Sequence, residues 1–488
     1  MAGWSAPAAA DPCGPETTIL ESLTRAVDSA AAFVTAHAPV RDPFDFTSRE
    51  SHEVRVLDQG VDSLLTRLEL IESATTSIEI AAYEMTDDQG GRLLLQALAR
   101  ASKERGVNVR ILMDRYVAPG KSIIGQELAR ELAKAGVTVR YYNTAEWTDP
   151  LTRTRRNHRK MLIVDDRRLV TGGRNWSDEY WDLAYGGFSF MDRDVLVEGP
   201  GVAAAAKSAD LHHAHEWSVS AADAFTDVPI DPAAVSRAKD SLRTSAGDIE
   251  TLAQVKKTAA AQRALSKTHT APRVTFVSDK PGEAGPGVMR CHDALMNRIS
   301  AAKKTVVIET YDFFPGAESE KAFAELAKKN VKLAVLTNSP ATESNPMVAA
   351  YAHESARRLV KAGADVYGMG GWESPDHVDP RPAGTYSFWG THAKTIVIDS
   401  KDVIIGSFNF DPRSGNLNVE SGVILHDVPE LAREVENAIW NRTASSWKLG
   451  KNGAYDGGPK AAFEDLPWKT RWLKRAEVLL KRPFKGQF

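Results

Sequence analysis

The sequence predicts a duplicated α/β fold: two α/β lobes, each with a central mixed sheet flanked by helices, related by a pseudo-two-fold axis. With 488 residues, 43% of them hydrophobic, the chain exceeds one ordinary core and can fill two. Strand-like and helix-like segments alternate in the same order in both halves. An eight-residue pattern, His-x-Lys-x-x-x-x-Asp, begins at His158 and again at His392, 234 positions later. A repeated motif on a repeated plan indicates gene duplication.

The first lobe is predicted from four alternating segments. Strand-like and helix-like runs follow one another at 76–83, 90–106, 107–114 and 121–135. We assign residues 51–217 to this lobe and residues 1–50 to an N-terminal leader with a helical segment. The Ala-Pro-rich beginning is either a disordered leader or a mature terminus left after removal of a signal peptide.

The second lobe repeats this plan. The corresponding runs are at 304–313, 322–330, 331–338 and 346–362. The register even keeps a tyrosine followed by an acid at the end of the first strand, Tyr83 in one half and Tyr311 in the other. We assign residues 273–445 to this lobe. Its sheet is expected to face that of the first lobe, with one active site between the halves.

Two segments lie outside the predicted lobes. Residues 218–272 are rich in Ala, Ser, Asp, Thr and Lys, which predicts a helical or flexible linker or an outer helical layer. Residues 446–488 are predicted as a basic amphipathic tail, in which the last 24 residues hold seven Lys or Arg against two acids. Trp468 and Trp472 lie on its apolar stripe, as in an interfacial membrane helix or in a helix packed on the protein.

The two motifs predict a cationic pocket. In a strand, residues two apart point to the same side, so His158 and Lys160 point together, as do His392 and Lys394. Each copy continues into an apolar stretch, a pair of small residues and an asparagine. These downstream residues are Gly172, Gly173 and Asn175 in the first copy and Gly406, Ser407 and Asn409 in the second. Two imidazoles, two ammonium groups and two amides together predict a phosphate site.

Such a pocket predicts metal-independent chemistry on a phosphodiester. A divalent cation would be repelled by the clustered positive charge, and neither Cys13 nor Cys291 has a metal-ligand spacing. We therefore expect no metal and no cofactor. Two histidines with different carboxylate neighbours can take different roles, one as a neutral nucleophile and the other as general acid and base. The residues alone do not decide which histidine has which role.

The duplicated motif and its surroundings resemble the phospholipase D superfamily. The longest resembling strings are "NHRKMLIVDDRRLVTGGRNWSDEY" and "THAKTIVIDSKDVIIGSFNFDPRSGNLNVESGVIL". They are most similar to the bacterial cardiolipin synthase branch, and a weaker likeness covers most of residues 54–445. The resemblance implies a duplicated phospholipase D fold, with His158 as nucleophile and His392 as general acid and base.

The resemblance also implies which carboxylates hold the imidazoles. A carboxylate on the other ring nitrogen fixes the tautomer of a catalytic histidine. The superfamily places that acid on a later strand of the same half, which corresponds to Asp192 and Glu420 here. Asp165 and Asp399, at the far ends of the motif strands, are expected to anchor the structure.

The resemblance implies an anionic phospholipid substrate such as phosphatidylglycerol, with an alcohol or water as acceptor. Arg156 and Arg413 flank the motifs and either form a solvated basic face or hold a second phosphate or an anionic headgroup, and the resemblance favours the second role. A formal net charge of −3 gives no global attraction to nucleic acid, so no such partner is expected.

The sequence also bears on location. No run reaches the roughly 18 to 20 apolar residues that span a bilayer. We expect a monomer that is peripheral at the cytoplasmic side of a bacterial inner membrane, with export or secretion left open by the leader.

The expected activity is phosphatidyl transfer or phosphodiester hydrolysis on phospholipids through a covalent phosphohistidine. One alternative is a secreted phospholipase D that hydrolyses host or competitor phospholipids. Another is a phosphodiesterase or nuclease of the same superfamily, although the motifs lack a long basic track with interleaved aromatics. A non-enzymatic lipid-binding module is opposed by the complete motifs in both halves.

Overall fold

The computed structural model describes residues 42–115, 124–144, 152, 154–184, 187–226, 228–285, 287–343, 345–378 and 388–456. Most of the predicted leader and most of the predicted basic tail lie outside this part of the chain.

The strands follow the apolar, β-branched segments of the sequence. In chain order they are β1 (Asp45–Ser48), β2 (His52–Leu57), β3 (Ser77–Ala82), β4 (Asn108–Asp114), β5 (Thr138–Tyr142), β6 (Met161–Val164), β7 (Arg168–Gly172), β8 (Phe188–Met191), β9 (Asp194–Glu198), β10 (Ser218–Ser220), β11 (Thr268–Ala271), β12 (Arg273–Ser278), β13 (Thr305–Thr310), β14 (Lys332–Asn338), β15 (Asp365–Met369), β16 (Phe388–Thr391), β17 (Lys394–Ile398), β18 (Asp402–Gly406), β19 (Ser421–His426), β20 (Ser446–Leu449) and β21 (Tyr455–Asp456).

Helices fill the connections between many of these strands. In chain order they are α1 (Gly60–Ser73), α2 (Gln89–Arg105), α3 (Gln126–Lys134), α4 (Val202–Ala214), α5 (Ala221–Ala224), α6 (Pro232–Ser241), α7 (Ala246–Arg263), α8 (Arg290–Ser300), α9 (Ala317–Lys328), α10 (Pro346–Lys361), α11 (Pro412–Asn416) and α12 (Pro429–Thr443). Local signals set their ends. Ser245 and Asp248 form a capping box at the start of α7, and Gly106 ends α2 in a left-handed conformation.

Apart from β8 and β16, which pair only with each other, the strands form two mixed sheets with the same internal order. Within the described residues, the first sheet runs β10-β5-β4-β3-β6-β7-β9-β2-β11 and the second runs β1-β12-β19-β18-β17-β13-β14-β15-β20-β21. β3, β4 and β5 are parallel, as are β13, β14 and β15. The motif strands β6 and β17 pair antiparallel with β3 and β13. The predicted duplicated α/β fold is therefore confirmed.

One edge strand of each sheet comes from the chain segment that directly precedes the opposite lobe. β1 precedes β2 in the chain but pairs with β12 of the second sheet, with Asp45 opposite Val277. β11 precedes β12 but pairs with β2 of the first sheet, with Thr268 opposite Arg55. Stretches of the predicted leader and linker thus supply edge strands that tie the lobes together.

The other parts of these outer segments also belong to the lobes. Helix α7, from the predicted linker, packs on the first lobe, and its Val255 and Ala259 are 1% and 0% exposed within the first core. β10 extends the first sheet beside β5, and β20 extends the second beside β15. The segment 218–272 therefore contributes core residues and strands in addition to an outer helical layer.

The two sheets pack face to face through a shared apolar core. Its members from both sheets include Val54, Ile163, Val195, Val307, Val397, Ile405 and Val423. Helices cover the outer faces over two further cores. Because both faces are covered, β3 and β17 are buried along their whole length. The residues that lead into β6 and β17 therefore meet at the boundary between the lobes.

Candidate active site

Each motif lysine is buried and hydrogen bonded to its own histidine. Lys160 is 1% exposed, and its Nζ donates to the carbonyl oxygen of His158 at 2.8 Å. Nζ of Lys394 donates in the same way to the carbonyl oxygen of His392 at 2.6 Å. The spacing of two residues along an extended segment makes this contact possible, as the alternation of a strand predicts. The two half-sites are therefore built alike.

The motif histidines pair with carboxylates across the lobe boundary. Nδ1 of His158 lies 3.0 Å from both carboxylate oxygens of Glu420, which belongs to the second lobe. Nδ1 of His392 lies 2.7 Å from Oδ2 of Asp192, which belongs to the first lobe. The prediction that each acid serves the histidine of its own half is therefore wrong, although both acids lie in the site.

Backbone pairing between the lobes explains the crossing. β8, which leads to Asp192, runs parallel to β16, which leads to His392. The amide of His392 donates to the carbonyl oxygen of Met191 at 2.8 Å. In the same way the amide of His158 donates to the carbonyl oxygen of Val419 at 2.9 Å. Each histidine is thus fixed beside the residue that precedes the opposite lobe's acid.

The two carboxylates have different environments. Glu420 accepts hydrogen bonds from Oγ of Ser407 at 2.5 Å and from Oγ of Ser414 at 2.7 Å. Burial acts to raise the pKa of Glu420, but its interactions with His158, Lys160 and the Ser407 hydroxyl outweigh burial and hold the pKa below its usual value. This acid therefore stays ionised at neutral pH.

Asp192 lacks an equivalent of Ser407. The corresponding position is Gly173, where a Cβ atom would lie 2.1 Å from Oδ1 of Asp192, so no larger residue fits. Burial raises the pKa of Asp192 to about 7, although Lys394 acts against it. The pair of His392 and Asp192 can therefore gain or lose a proton near neutral pH.

The charges of the two lobes act on one another. Burial lowers the pKa of His158 to about 4, Glu420 offsets part of this effect, and Lys394 of the other lobe adds to it. Burial also lowers the pKa of Lys160 to about 7 and that of Lys394 to about 8. A bound phosphate would favour the charged form of both lysines. At neutral pH, His158 is neutral, and its Nδ1 faces an anionic acid.

The asparagines of the two copies lie next to residues that contact the motif histidines or their acids. Nδ2 of Asn175 donates to the hydroxyl of Tyr180 at 3.0 Å, and the Tyr180 ring lies edge-on to His392 with centroids 5.0 Å apart. The backbone amide of Asn409 donates to Oγ of Ser414 at 3.3 Å. Oδ1 of both asparagines is buried without a hydrogen-bond partner among the described residues.

The first small residue after each motif strand is a glycine because the neighbouring strand comes too close. A Cβ atom at Gly172 would lie 2.3 Å from Oδ1 of Asp194, and one at Gly406 would lie 2.5 Å from the carbonyl oxygen of Ser421. These separations are far below van der Waals contact. The two glycines therefore let β9 and β19, the strands that begin just after Asp192 and Glu420, approach β7 and β18 closely.

The motif aspartates point away from the histidines. Asp165 accepts hydrogen bonds from the backbone amides of Thr75, Thr76 and Ser77. Asp399 accepts them from Lys303, Lys304 and Thr305. Both aspartates have positive φ angles of 50° and 55°. Each carboxylate holds the start of the first parallel strand of its lobe, β3 in one lobe and β13 in the other.

Replacing Asp399 by alanine should lower the free energy of unfolding by about 1–3 kcal/mol, because three backbone amides at the start of β13 lose a charged acceptor. Asp399→Asn should lose less, since it keeps one oxygen and tolerates the left-handed backbone. Urea unfolding of the three proteins measures this. A large fall in kcat at a temperature where Asp399→Ala stays folded would contradict the anchoring role.

The arginines predicted to bind substrate are held at the edge of the site. Arg156 is 4% exposed, and its Nη1 lies 3.1 Å from Oδ1 of Asp114. Nη2 of Arg413 donates to the carbonyl oxygen of Thr154 at 2.8 Å. These contacts brace the chain just before His158. Their role in holding an anionic headgroup stays a prediction.

Tyr83 and Tyr311 also belong to the site, although neither was predicted from the sequence as a site residue. The Tyr83 ring lies 5.0 Å from the His158 ring and 5.1 Å from Nζ of Lys160. The Tyr311 ring lies 4.9 Å from the His392 ring in the second lobe. The repeated Tyr-acid dipeptide was the signal that could have identified both residues. The aromatic faces stabilise the ammonium groups by cation–π attraction.

Within the described residues, no group of three or more His, Cys, Asp or Glu side chains could hold a metal ion. Among the helices of that same part of the chain, none is both long enough and apolar enough to cross a membrane.

Relatives of known function resemble the chain over most of its length. Cardiolipin synthase C of Escherichia coli (strain K12) is 29% identical over 461 residues, which cover 88% of this chain and 90% of that protein. Cardiolipin synthase B of Salmonella typhi is 27% identical over 396 residues, which cover 78% of each chain.

A solved structure shares the fold. The crystal structure of phosphatidylserine synthase from Haemophilus influenzae Rd KW20 superimposes with a TM-score of 0.64, over 89% of this chain and 95% of that one, at 14% identity. Residues 68–196 and 295–443, one segment in each lobe, match the family described as "Cardiolipin synthase, PLD-like domain". Because these segments make up more than half of the chain, the protein belongs to this family of phospholipase D superfamily enzymes.

Proposed function

We propose that this protein transfers a phosphatidyl group from a phospholipid to an alcohol or to water, without a metal, through a covalent phosphohistidine. The observation that carries the proposal is the pair of histidines, each held by a buried acid of the opposite lobe and each next to a buried lysine. Such a set supplies a nucleophile, a general acid and fixed positive charge, which phosphoryl transfer needs.

We assign the nucleophile to His158. Its low pKa supports this, because the ring is neutral at pH 7. A proton on Nδ1 faces the ionised Glu420 and leaves the lone pair on Nε2. In the first step Nε2 forms a bond to phosphorus, and the bond from phosphorus to the headgroup oxygen breaks.

We assign the general acid and base to His392. The proton of its ring goes to the departing headgroup oxygen in the first step. In the second step the ring takes the proton of the acceptor hydroxyl, whose oxygen bonds to phosphorus as the bond to His158 breaks. The raised pKa of Asp192 supports this role, because the pair can exchange a proton near neutral pH.

The remaining groups would stabilise the transition state. Lys160 and Lys394 are buried point charges of opposite lobes, suited to the non-bridging oxygens of the phosphoryl group. Asn175 and Asn409 reach the site from equivalent positions and would add amide donors. No step in this scheme requires a metal ion.

We further propose phosphatidylglycerol as a substrate and the cytoplasmic face of a bacterial inner membrane as the place of action. The similarity to the cardiolipin synthases of Escherichia coli and Salmonella typhi supports a phospholipid substrate and a bacterial membrane. The basic, Trp-containing C-terminal sequence fits an anionic membrane surface. A monomer suffices because one chain supplies both histidines and both acids.

The full chain should be incubated with phosphatidylglycerol vesicles, with and without 1-butanol as acceptor, in the presence and in the absence of chelator. We expect phosphatidylbutanol and free glycerol as products in the presence of the alcohol, at a rate that chelator does not change. Phosphatidic acid alone, even at high 1-butanol, would establish a hydrolase instead of a transferase. Loss of activity in chelator would refute the metal-free mechanism, and cleavage of DNA without lipid turnover would favour the nuclease alternative.

A further inference from the structure

A short ribbon between the lobes carries a row of phenylalanines beside His392. The ribbon consists of β8 and β16, which pair in parallel with Phe188 opposite Phe388. The Phe190 ring lies 5.2 Å from the His392 ring. Phe188 lies 4.8 Å from Phe190 and 5.7 Å from Phe388, measured between ring centroids. The three rings form a continuous apolar row that starts at the catalytic histidine.

The row does not serve to fill a core. All three phenylalanines are half-buried. In contrast, Ser189 and Trp389, which directly follow Phe188 and Phe388 on the ribbon, are 0% and 1% exposed. Alternation along a strand sends Phe188 and Phe190 to one face and Ser189 to the other. The ribbon therefore packs with its other face and leaves part of the phenylalanine row open.

The two half-sites differ in the residue four positions before the motif histidine. Four residues before His392 stands Phe388, and four residues before His158 stands Thr154. Thr154 lies in a polar stretch, where its carbonyl oxygen accepts a hydrogen bond from Arg413. The same backbone position is thus aromatic on one side of the site and polar on the other.

The strand segments before the two acids repeat this asymmetry. Counting back two and four residues from the acid gives Phe190 and Phe188 in the first half, but Asn418 and Asn416 in the second. The two segments differ in structure, because Phe188 lies in β8 whereas Asn416 is the last residue of helix α11. Both nevertheless run parallel to the chain just before a motif histidine, through β8 and β16 in one case and through Val419 opposite Asn157 in the other. The sequence is therefore aromatic at three positions near His392 and polar at the corresponding positions near His158.

We propose that the phenylalanine row Phe188–Phe190–Phe388 binds the acyl-bearing part of the lipid substrate and makes the enzyme select long-chain phospholipids over short-chain or soluble phosphodiesters. This inference rests on the proposed phospholipid activity. Apolar surface next to a phosphate pocket suits an amphipathic diester, because each buried methylene contributes about 0.8 kcal/mol.

The test measures kcat/KM on monomeric phosphatidylglycerols with dibutyryl, dihexanoyl and dioctanoyl chains, below their critical micelle concentrations, and on bis(p-nitrophenyl) phosphate. We expect the wild type to favour the longer chains. Phe188→Ala and Phe388→Ala should each lower kcat/KM on the dioctanoyl lipid by about 10- to 100-fold, and by clearly less on the dibutyryl lipid. Phe188→Leu should recover most of the preference.

Phe46→Ala is the matched control, since Phe46 is a half-buried phenylalanine on the edge strand β1, opposite Phe276. It should keep the wild-type dependence on chain length. Equal losses on all chain lengths in Phe188→Ala and Phe388→Ala, or an unchanged ratio, would overturn the inference. A wild type that cleaves bis(p-nitrophenyl) phosphate but no phosphatidylglycerol of any length would instead refute the proposed function.

Discussion

Alanine at His158 or at His392 should each lower kcat/KM on phosphatidylglycerol by about 10³- to 10⁴-fold. The double variant should fall no further, because both rings act on the same phosphoryl group and neither works alone. Two independent sites would instead leave each single variant with about half of the activity. Turnover of the three proteins under identical conditions measures this.

A covalent intermediate separates the roles of the two rings. With bis(p-nitrophenyl) phosphate, whose leaving group needs no general acid, His392→Ala should still release a burst of nitrophenolate and then stall. His158→Ala should give no burst, because it lacks the nucleophile. The reverse pattern would exchange the two assignments.

His269→Ala is the matched control for both experiments. His269 also pairs with an acid, since its Nε2 lies 2.8 Å from Oε2 of Glu434, but this pair is outside the site. The variant should keep its activity within about twofold, as substitutions away from functional groups usually do. A similar loss in His269→Ala would mean that the effect comes from folding.

The parts of this site that could be predicted from the sequence are those set by residues that lie close together in the chain. His158 and Lys160 are two residues apart on an extended segment, so their joint direction follows from strand geometry alone. The duplicated strand order follows from repeated apolar runs with matching spacing. Asp192 and Glu420, in contrast, were predicted from the resemblance to the phospholipase D superfamily and not from strand geometry.

The partners across the lobe boundary could not be predicted in this way. His158 contacts Glu420 because residues 157 and 419, which are 262 positions apart in the chain, pair in parallel. No local sequence pattern encodes which lobe supplies the acid. The same limit applies to β1, whose polar edge sequence gives no sign that it joins the second sheet. Phe190 was missed because a half-buried phenylalanine in a short strand resembles ordinary core sequence.

Breaking the buried ion pairs between the lobes should cost about 3–5 kcal/mol of unfolding free energy. Nη1 and Nη2 of Arg193 lie 2.8 Å from Glu309 and from Asp58, respectively. The two amino groups of Arg442 lie 2.5 Å from Glu309 and 2.7 Å from Asp58. Asp58 and Arg193 come from the first lobe, and the other two come from the second. Burial acts to raise the pKa of Glu309, but Arg442 and Arg193 outweigh it and hold the pKa below its usual value.

Glu309→Leu and Arg442→Leu should each be strongly destabilising, because each leaves buried charge without its partner. The charge-balanced double variant should cost clearly less than the sum of the two, which a double-mutant cycle of urea unfolding measures. Arg358→Leu is the control, since Arg358 pairs with Glu320 at the surface and should lose no more than about 1 kcal/mol. Strictly additive losses would mean that the two side chains do not act as a pair.

Glu309 also accepts a hydrogen bond at 2.7 Å from the hydroxyl of Thr391, the residue before His392. Any variant that folds without this acid should therefore also have a misplaced His392 imidazole and a lower kcat.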